Sequence, residues 1–381
     1  MTRSVLILGA TGSIGTQALD VIARSAGRLV AVGLAAGHDS AALHALAARA
    51  GVHELAAAEP GDADADADVR VRVGPDAIVR LVREVRADVV LNAIDGAAGL
   101  PATLAALETG ATLALANKES LVVGGELVTE RARPGQLVPV DSEHSAIAQC
   151  LRSGMHDEVD RLILTASGGP FRGRAADELW AVTPQQALAH PTWRMGALVT
   201  TNSATLVNKG LEIMEAHHLF GIGYDRIDAV VHPQSVVHSM VQFRDGATIA
   251  QASPPDMRLP ISLALAWPHR MPDVVPAVDW THSHRWTFEP IDEEAFPAVR
   301  LARAVGERGG TWPAVFTAAD EVLVARFHAG GIAFPEIVAG IERVVDAWRP
   351  SAGSLSLDAI ARADAWAREQ AAALPARGRG R

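Results

Sequence analysis

Short apolar runs alternate with helical patterns over residues 1–136. Residues 5–8 and 29–35 are almost continuously apolar, which is typical of strands buried on both faces of a parallel sheet. Between them, residues 13–26 place apolar side chains on one helical stripe. This alternation predicts a Rossmann-like, doubly wound parallel sheet. The same patterns predict further strands over 88–93 and 111–116 and helices over 40–50 and 101–109.

The pattern changes at residue 137 and predicts a central α+β catalytic domain over 137–267. Five apolar runs predict strands at 162–166, 199–202, 229–232, 236–243 and 248–252, and one helix is predicted over 204–219. Arg244-Asp245-Gly246 lies between the last two runs and has the chemistry of a hairpin turn. The sheet of this domain is therefore expected to be partly antiparallel.

The last third of the chain is predicted to be helical. Prolines 268, 272, 276 and 290 mark a linker over 268–295. Helical spacing then predicts four helices at 297–307, 312–328, 335–348 and 357–374, which form a C-terminal bundle over 296–375. We expect a disordered basic tail at 376–381 and a solvated Asp/Ala loop at 62–68.

Composition narrows the class of protein. The chain has 381 residues, of which 49% are hydrophobic and 20% charged, so it can bury the cores of several domains. Its net charge of −10 argues against a general nucleic-acid binder, and no apolar run has the roughly 18 residues of a membrane helix. The one cysteine, Cys150, excludes a disulfide framework, has no cationic neighbour that would activate it, and is expected to be a small buried residue. We expect a cytoplasmic protein with no nucleic-acid or membrane partner.

Both lysines of the chain follow an asparagine. Lys118 and Lys209 are the only lysines among 34 basic residues, and they follow Asn117 and Asn208. A chain that otherwise uses arginine keeps a compact, flexible ammonium at these two positions. The two Asn-Lys pairs are therefore candidate functional positions.

Gly9-Ala10-Thr11-Gly12-Ser13-Ile14-Gly15 joins the first predicted strand to the first helix. Glycines at such a turn let a pyrophosphate approach the helix N-terminus, so the segment predicts dinucleotide binding, with a ligand-free turn as the alternative. After the second strand, Gly37-His38-Asp39-Ser40 does not decide between NADH and NADPH. Asp228 stands four residues after Tyr224, the only tyrosine, which excludes a Tyr-x-x-x-Lys mechanism.

Three acids are candidate metal ligands. If residues 141–143 are extended, Asp141 and Glu143 point to the same face, and a hard divalent ion would relieve their repulsion. Glu212 lies four residues after Asn208 on a predicted helix and offers a third carboxylate. A solvated strand end and a capped surface helix are the alternatives.

The predicted helix over 204–219 also carries a candidate phosphate site, and two further segments have the character of an active site. Ser203, predicted as an N-cap, forms a phosphate-binding set with Asn208 and Lys209. The glycine-rich segment 165–171 and the loop 190–196 are typical of flexible active-site segments, and the large apolar Trp193 and Met195 of the second suit a lid that expels water. A loop packed permanently on the core is the alternative for the second segment.

Seven short motifs appear together and in order. They are Gly-x-Thr-Gly-Ser-Ile-Gly from residue 9, Ala-Asn-Lys-Glu-Ser from 116, Val-Asp-Ser-Glu-His from 140, Ser-Gly-Gly-Pro-Phe from 167, His-Pro-x-Trp-x-Met-Gly from 190, Asn-Lys-Gly-Leu-Glu from 208 and His-Pro-Gln-Ser from 232. With them, nearly the whole chain resembles the 1-deoxy-D-xylulose 5-phosphate reductoisomerase family. The resemblance implies a homodimeric enzyme that uses NADPH and one divalent cation, Mg²⁺, Mn²⁺ or Co²⁺. It implies rearrangement and reduction of 1-deoxy-D-xylulose 5-phosphate to 2-C-methyl-D-erythritol 4-phosphate, a step of the non-mevalonate isoprenoid pathway.

The resemblance also implies site residues, motif by motif. The implied metal ligands are Asp141, Glu143 and Glu212, which together with Lys118 are the implied catalytic residues. The implied substrate contacts are Lys118, Ser142, Glu143, Ser167, His190, Trp193, Met195, Ser203, Asn208, Lys209 and Glu212. The implied cofactor contacts are Thr11, Gly12, Ser13, Ile14, Gly37, Asn117, Glu119 and Gly196.

The chain departs from the family at two places. His38 and Asp39 stand where the family often has lysine and asparagine, and Thr317-Ala318-Ala319-Asp320-Glu321 replaces an Asn-Ala-Ala-Asn-Glu-like run. A carboxylate near a 2′-phosphate is unfavourable, which bears on the preference for NADPH. The alternative activities are a metal-dependent NAD(P)H oxidoreductase that acts on a phosphorylated sugar without rearranging it, and a nucleotide-sensing regulator.

Overall fold

Twelve strands and fifteen α-helices occupy the residues that the computed structural model describes, which are 2–61, 68–193, 195–351 and 353–376. The strands are β1 (Arg3–Leu8), β2 (Leu29–His38), β3 (Glu54–Glu59), β4 (Arg70–Val73), β5 (Val89–Asn92), β6 (Thr112–Leu115), β7 (Leu137–Pro139), β8 (Val159–Ala166), β9 (Ile227–Val231), β10 (Val237–Phe243), β11 (Thr248–Ala252) and β12 (Glu289–Pro290). The helices are α1 (Ser13–Arg24), α2 (Ala41–Ala50), α3 (Ala77–Glu84), α4 (Leu100–Thr109), α5 (Lys118–Gly124), α6 (Glu126–Thr129), α7 (Ser142–Cys150), α8 (Pro184–Ala187), α9 (Ala197–Thr205), α10 (Val207–Phe220), α11 (Arg258–Ala266), α12 (Ala298–Arg308), α13 (Trp312–His328), α14 (Pro335–Ala347) and α15 (Leu357–Ala373).

The first of two compact units is built on a parallel sheet. It comprises Met1–Leu121, Val128–Ser145 and Asp256–Ala277. Its seven strands lie in the order β4-β3-β2-β1-β5-β6-β7, and every pair is parallel. Strands β1 to β4 are added in sequence toward one edge of the sheet and β5 to β7 toward the other. The strand order therefore reverses between β1 and β5, and such folds bind ligands at this switch point. The predicted doubly wound sheet is confirmed.

Burial of both faces explains why these strands form. Val5, Ile7, Leu34 and Leu91 are fully buried, as expected for apolar runs between two helical layers. Helix α11 belongs to the same core, since Arg3 donates hydrogen bonds of 3.0 Å to the carbonyl oxygens of its Leu265 and of the following Trp267. This unit therefore includes residues 256–277. The functional domains over 1–136, 137–267 and 296–375 stay a prediction.

The second unit contains a mixed sheet and the C-terminal helices. It comprises Val122–Leu127, Ala146–Pro255 and Val278–Arg381. The sheet has the order β11-β10-β8-β9-β12, with β8 parallel to β9 and the other pairs antiparallel. Strands β10 and β11 form the predicted hairpin, in which the Phe243 N–H donates to the Ala247 carbonyl at 2.8 Å. The expectation of a partly antiparallel sheet is confirmed.

Helices α12, α13, α14 and α15 confirm the helical C-terminal part. Helix α13 packs on α14 and α15, and its Phe316 and Leu323 are buried with Ile341 of α14 and Ala367 of α15. No helix in the described ranges is both long enough and apolar enough to cross a membrane.

Several predicted elements differ from those observed. The strand predicted at 199–202 is wrong, because these residues form part of α9. The helix predicted over 204–219 is divided at Leu206, whose φ of +60° separates α9 from α10. The sequence pattern does not predict strands β3 and β4 or helix α3. Residues 62–67 of the predicted Asp/Ala loop and 377–381 of the predicted tail lie outside the described ranges.

Candidate active site

The turn between β1 and α1 requires glycine at two positions. Gly9 has a φ of +82°, and a Cβ there would lie 2.2 Å from the Ala93 carbonyl oxygen. A Cβ on Gly15 would lie 2.3 Å from the Gly9 carbonyl oxygen. The N-cap of α1 is Gly12, which has no side chain that could cap the helix. Thr11, Gly12 and Ser13 are exposed. The turn therefore presents main-chain N–H groups of the helix N-terminus to solvent, as a pyrophosphate site requires.

Two buried asparagines shape the adjacent strand ends. Asn92, at the end of β5, donates to the Gly99 carbonyl at 3.0 Å and to the Thr103 hydroxyl at 2.8 Å. Asn117, after β6, donates to the Gly96 carbonyl at 2.8 Å and to the Glu119 carboxylate at 3.0 Å. Because the carboxyl ends of β1, β5 and β6 lie side by side, the structure places Asn117 and Glu119 on the same sheet edge as the glycine turn.

Lys118 and Asp141 extend this edge. Lys118 begins α5 after β6, Asp141 follows β7, and the two side chains, each 11% exposed, form an ion pair. Burial alone would raise the pKa of the Asp141 carboxyl, but the Lys118 ammonium, assisted by His144, holds that pKa well below its usual range. Asp141 is therefore an anion in the native protein, and its counterion is the Lys118 ammonium.

The segment after Asp141 is helical and not extended. Helix α7 begins at Ser142, so Glu143 lies in its first turn, and the N–H of Glu143 donates to Asp141 Oδ1 at 3.2 Å. The Asp141 carboxylate thus caps the helix, and the interpretation that Asp141 and Glu143 share one face of an extended segment is wrong. The Ser142 hydroxyl donates to Glu143 Oε2 at 2.5 Å. Asp141, Ser142 and Glu143 are nevertheless neighbours at one strand end.

In the second unit, α9 and α10 carry the predicted phosphate-binding residues. The N-cap predicted at Ser203 is wrong, because Ser203 lies inside α9. Thr200, Thr201 and Thr205 direct their hydroxyls to carbonyls one turn earlier, which satisfies them within the helix. The left-handed Leu206 ends α9, so Asn208 and Lys209 lie in the first turn of α10.

Glu212 binds both of these residues. Asn208 Nδ2 donates to Glu212 Oε1 at 2.5 Å, and Lys209 forms an ion pair with Glu212 Oε2. The Lys209 and Glu212 side chains are only 3% and 2% exposed. The predicted sharing of a helix face by positions 208 and 212 is confirmed, and Glu212 is held in one place by two donors.

Ser167 and His190 lie together in the same unit. Ser167 follows β8 and its hydroxyl oxygen lies 3.1 Å from His190 Nε2. His190 Nδ1 accepts from the N–H groups of Thr192 and Trp193 at 3.1 and 2.9 Å, so Nε2 carries the proton and donates to Ser167. Burial lowers the pKa of His190, which keeps this ring neutral. The imidazole thereby fixes the conformation of the loop that follows it.

That loop contains the residues predicted as a lid. Trp193 and Met195, which lie in the segment that joins α8 to α9, are partly buried, and the centroid of the Trp193 ring lies 6.3 Å from that of His238. Gly196 is the N-cap of α9 and is exposed. A Cβ added to Gly196, or to Gly37 near the end of β2, would have no other heavy atom within 4 Å. Both predicted cofactor glycines therefore border open space.

The structure also gives contacts to residues to which the sequence analysis assigns no role in the site. Asn202 and Thr201 of α9 contact Asp320 and His328 of α13 at 2.6 and 2.8 Å. His144 is fully buried with Nδ1 3.6 Å from Asp141 Oδ1. Its signal in the sequence is its place one turn after Asp141, and that of Asn202 is its place beside Ser203.

Three family models match the chain. They describe the 1-deoxy-D-xylulose 5-phosphate reductoisomerase over residues 5–125, its C-terminal domain over 137–220, and the DXP reductoisomerase C-terminal domain over 252–370.

Similar proteins carry the same name. The chain is 61% identical over 369 residues to the 1-deoxy-D-xylulose 5-phosphate reductoisomerase of Leifsonia xyli subsp. xyli, covering 97% of this chain and 98% of that protein. It is 58% identical over 371 residues to the Mycobacterium marinum protein, covering 96% and 92%.

Solved structures agree with these matches. The structure of the Zymomonas mobilis reductoisomerase in complex with NADPH has 42% identity and a TM-score of 0.88, covering 98% of this chain and 99% of that one. A DOX-P reductoisomerase in complex with NADPH, fosmidomycin and magnesium has 33% identity and a TM-score of 0.89, covering 97% and 98%. With relatives this similar over nearly its full length, the chain belongs to the 1-deoxy-D-xylulose 5-phosphate reductoisomerase family.

Proposed function

We propose that the chain is the reductoisomerase that converts 1-deoxy-D-xylulose 5-phosphate to 2-C-methyl-D-erythritol 4-phosphate in the non-mevalonate isoprenoid pathway, with NADPH and one divalent cation, Mg²⁺, Mn²⁺ or Co²⁺. The observation that supports this most directly is the use of the two lysines. Each forms an ion pair with a carboxylate predicted to bind metal, Lys118 with Asp141 and Lys209 with Glu212. The chain's similarity to named reductoisomerases along its length supports the same activity.

The NADPH site is assigned to the carboxyl edge of the parallel sheet. The glycine turn fits a dinucleotide because its helix N-terminus is exposed and two of its positions have no room for a Cβ. Bound there, NADPH would supply a hydride to an aldehyde formed by the rearrangement. The contacts assigned to it are Thr11, Gly12, Ser13, Ile14, Gly37, Asn117, Glu119 and Gly196.

The cation is assigned to Asp141, Glu143 and Glu212. Their carboxylate oxygens suit a hard divalent ion, and Asp141 and Glu212 are each held in a mostly buried setting next to an ammonium. A bound cation would stabilise negative charge that develops on the substrate oxygens. Lys118 adds a second positive charge on the Asp141 side, which makes it a catalytic residue in this proposal.

The phosphate is assigned to Ser167, Ser203, Asn208 and Lys209. Hydroxyl, amide and ammonium donors of this kind bind phosphate oxygens by charge-assisted hydrogen bonds. Ser142 and His190 are assigned to the sugar, and Trp193 and Met195 cover it as a lid that excludes water. Binding of the remote phosphate then contributes free energy to orientation of the reacting carbons.

We further assign the chain to the cytoplasm as a homodimer without nucleic-acid or membrane partners. A single, buried cysteine and a net charge of −10 support the compartment and the absence of a nucleic-acid partner. The homodimer is supported by the family resemblance, and light scattering of the purified protein would test it.

The test of the activity is a two-part assay. Oxidation of NADPH or NADH is followed with 1-deoxy-D-xylulose 5-phosphate after chelation of metals and again after addition of Mg²⁺ or Mn²⁺. The product is then identified by carbon NMR. A branched product that forms only with metal supports the proposal, whereas a reduced, unbranched skeleton would establish the alternative of an oxidoreductase that rearranges nothing.

A further inference from the structure

We infer that two histidines, His38 at the end of β2 and His44 in α2, set the preference for NADPH over NADH, and that this preference declines as the pH rises. The inference rests on the proposed function, since it concerns the nucleotide site assigned there.

The position of these residues in the fold points to the adenosine ribose. The N–H groups of Gly9 and Ala10 in the glycine turn both donate to the carbonyl of Ala35 in β2, at 2.9 and 2.8 Å. The end of β2 therefore lies beside the pyrophosphate turn. In parallel nucleotide-binding folds, groups just after the second strand contact either the 2′-hydroxyl of NADH or the 2′-phosphate of NADPH.

The cations available within this segment are imidazoles. From Ala36 to Ala48 the sequence contains no lysine or arginine, and its basic residues are His38 and His44. His38 ends β2 with a side chain that is 70% exposed, so an anion can reach it. A permanent positive charge would bind a 2′-phosphate at any neutral pH, but an imidazole does so only in its protonated form.

Two carboxylates oppose these imidazoles. Glu59, at the end of β3, places Oε2 at 3.2 Å from His38 Nδ1, and Asp39 places Oδ1 at 2.8 Å from His44 Nε2. Asp39 and His44 are largely buried, with side chains 14% and 16% exposed. The Asp39 N–H also donates to the Glu59 carbonyl at 3.0 Å, so β2 and β3 hold the two acids close together.

The balance of charge among these four groups changes with pH. With both imidazoles protonated, the two positive and two negative charges cancel, and His38 attracts a phosphate. With both neutral, two uncompensated carboxylates lie in the segment assigned to the ribose. They disfavour the 2′-phosphate but can accept hydrogen bonds from the ribose hydroxyls of NADH. NADPH binding should therefore weaken with rising pH while NADH binding does not.

The experiment measures nucleotide binding to the whole protein without substrate. Dissociation constants of NADPH and NADH are obtained from nucleotide fluorescence at about pH 6.5 and about pH 8.5, at fixed ionic strength. Both pH values lie above the second pKa of a phosphate, near 6, so the 2′-phosphate is mostly doubly charged throughout. The ratio of the NADH constant to the NADPH constant is expected to fall roughly two- to fivefold over this interval, the size of an exposed charge contact.

Three variants locate the effect. His38→Arg is expected to keep the higher ratio at both pH values, and its residual pH dependence measures the contribution of the phosphate itself. His38→Gln and His44→Gln are expected to lower the ratio at the acidic pH. His53→Gln is the matched control, because His53 precedes β3 at its opposite end and contacts the Asp68 carbonyl. Asp62, Asp64 and Asp66 lie outside the described residues and are unchanged in every variant.

The outcomes separate this inference from the proposed function. A ratio that is the same at both pH values in the unchanged protein and in His38→Gln would refute the inference, while tight NADPH binding in the same titrations would leave the proposed function intact. Failure of both nucleotides to bind would refute the two together.

Discussion

Asn202 of α9 donates a hydrogen bond of 2.6 Å to the Asp320 carboxylate of α13, and both side chains are buried, at 4% and 1% exposure. Thr201 makes a parallel contact of 2.8 Å with His328. The helix that carries Ser203 is thus attached to the C-terminal bundle by two polar contacts next to the predicted phosphate site. The bundle therefore has a part in positioning Ser203, and this can be tested.

Replacing Asp320 should disturb substrate binding through Asn202. Asp320→Ala leaves the buried Asn202 amide without its acceptor, which should cost about 1–3 kcal/mol of unfolding free energy and raise KM for the phosphorylated substrate several-fold. Asp320→Asn keeps an acceptor oxygen and should restore KM. Urea unfolding and steady-state kinetics measure both effects. Equal KM values for the alanine variant and the unchanged protein would show that α13 does not position Ser203.

Glu212→Gln should nearly abolish turnover and leave NADPH binding unchanged. The substitution keeps the size of the side chain but removes the negative charge that a divalent cation and Lys209 both require. The change is measured as kcat together with the NADPH dissociation constant. Glu369→Gln, at an exposed position on α15, is the control. Unchanged turnover in Glu212→Gln would exclude Glu212 from the metal site.

The two lysines should differ in which kinetic constant they control. Lys209→Ala removes a charge-assisted donor from the predicted phosphate site and should raise KM by roughly tenfold or more. Lys118→Ala removes the cation next to Asp141 and should act mainly on kcat, because the proposed function assigns Lys118 to the reacting part of the sugar. Each variant serves as the control for the other in the same steady-state assay. A KM unaffected by Lys209→Ala would place the phosphate elsewhere.

His218 should make the protein less stable in mild acid. Burial, with a smaller effect of His217, lowers the pKa of His218 to about 4, whereas an unfolded histidine titrates near 6.5. The unfolded chain therefore binds the proton first as pH falls. The stabilisation is complete above about pH 6.5 and is lost as pH falls toward 4, by at most about 3 kcal/mol.

Urea unfolding at about pH 7 and about pH 4.5 measures this loss. His218→Gln should lose less stability between the two values than the unchanged protein. The exposed His282→Gln variant is the control and should behave like the unchanged protein. The same loss in all three proteins would contradict the assignment to His218.

Much of the fold follows from local patterns of burial, and its exceptions have physical causes. The run at 5–8 predicts β1 because a strand buried on both faces has no polar alternation. Strand β3 reads Glu-Leu-Ala-Ala-Ala-Glu, and alanine favours helices, so its pairing in the sheet overrides local propensity. At 199–202, Val and Thr suggest a strand, but the threonine hydroxyls are satisfied by carbonyls within α9.

Residues of the candidate site can be predicted from the sequence only where they belong to a contiguous motif. Asp141, Glu143 and Glu212 can be found because each lies within a short contiguous motif, Val-Asp-Ser-Glu-His or Asn-Lys-Gly-Leu-Glu. The sequence assigns no role to Asp320, because its partner Asn202 is 118 residues away in the chain. A non-glycine residue in a left-handed conformation, such as Leu206, gives no local signal either, yet it determines where α10 begins.

The ion pairs of Lys118 with Asp141 and of Lys209 with Glu212 have a consequence for how the chain folds in the absence of a divalent cation. A buried carboxylate without a counterion is strongly destabilising, and folding would then depend on a bound cation. Here Asp141 and Glu212 each have an internal ammonium counterion, so we expect the chain to fold before any divalent ion is bound.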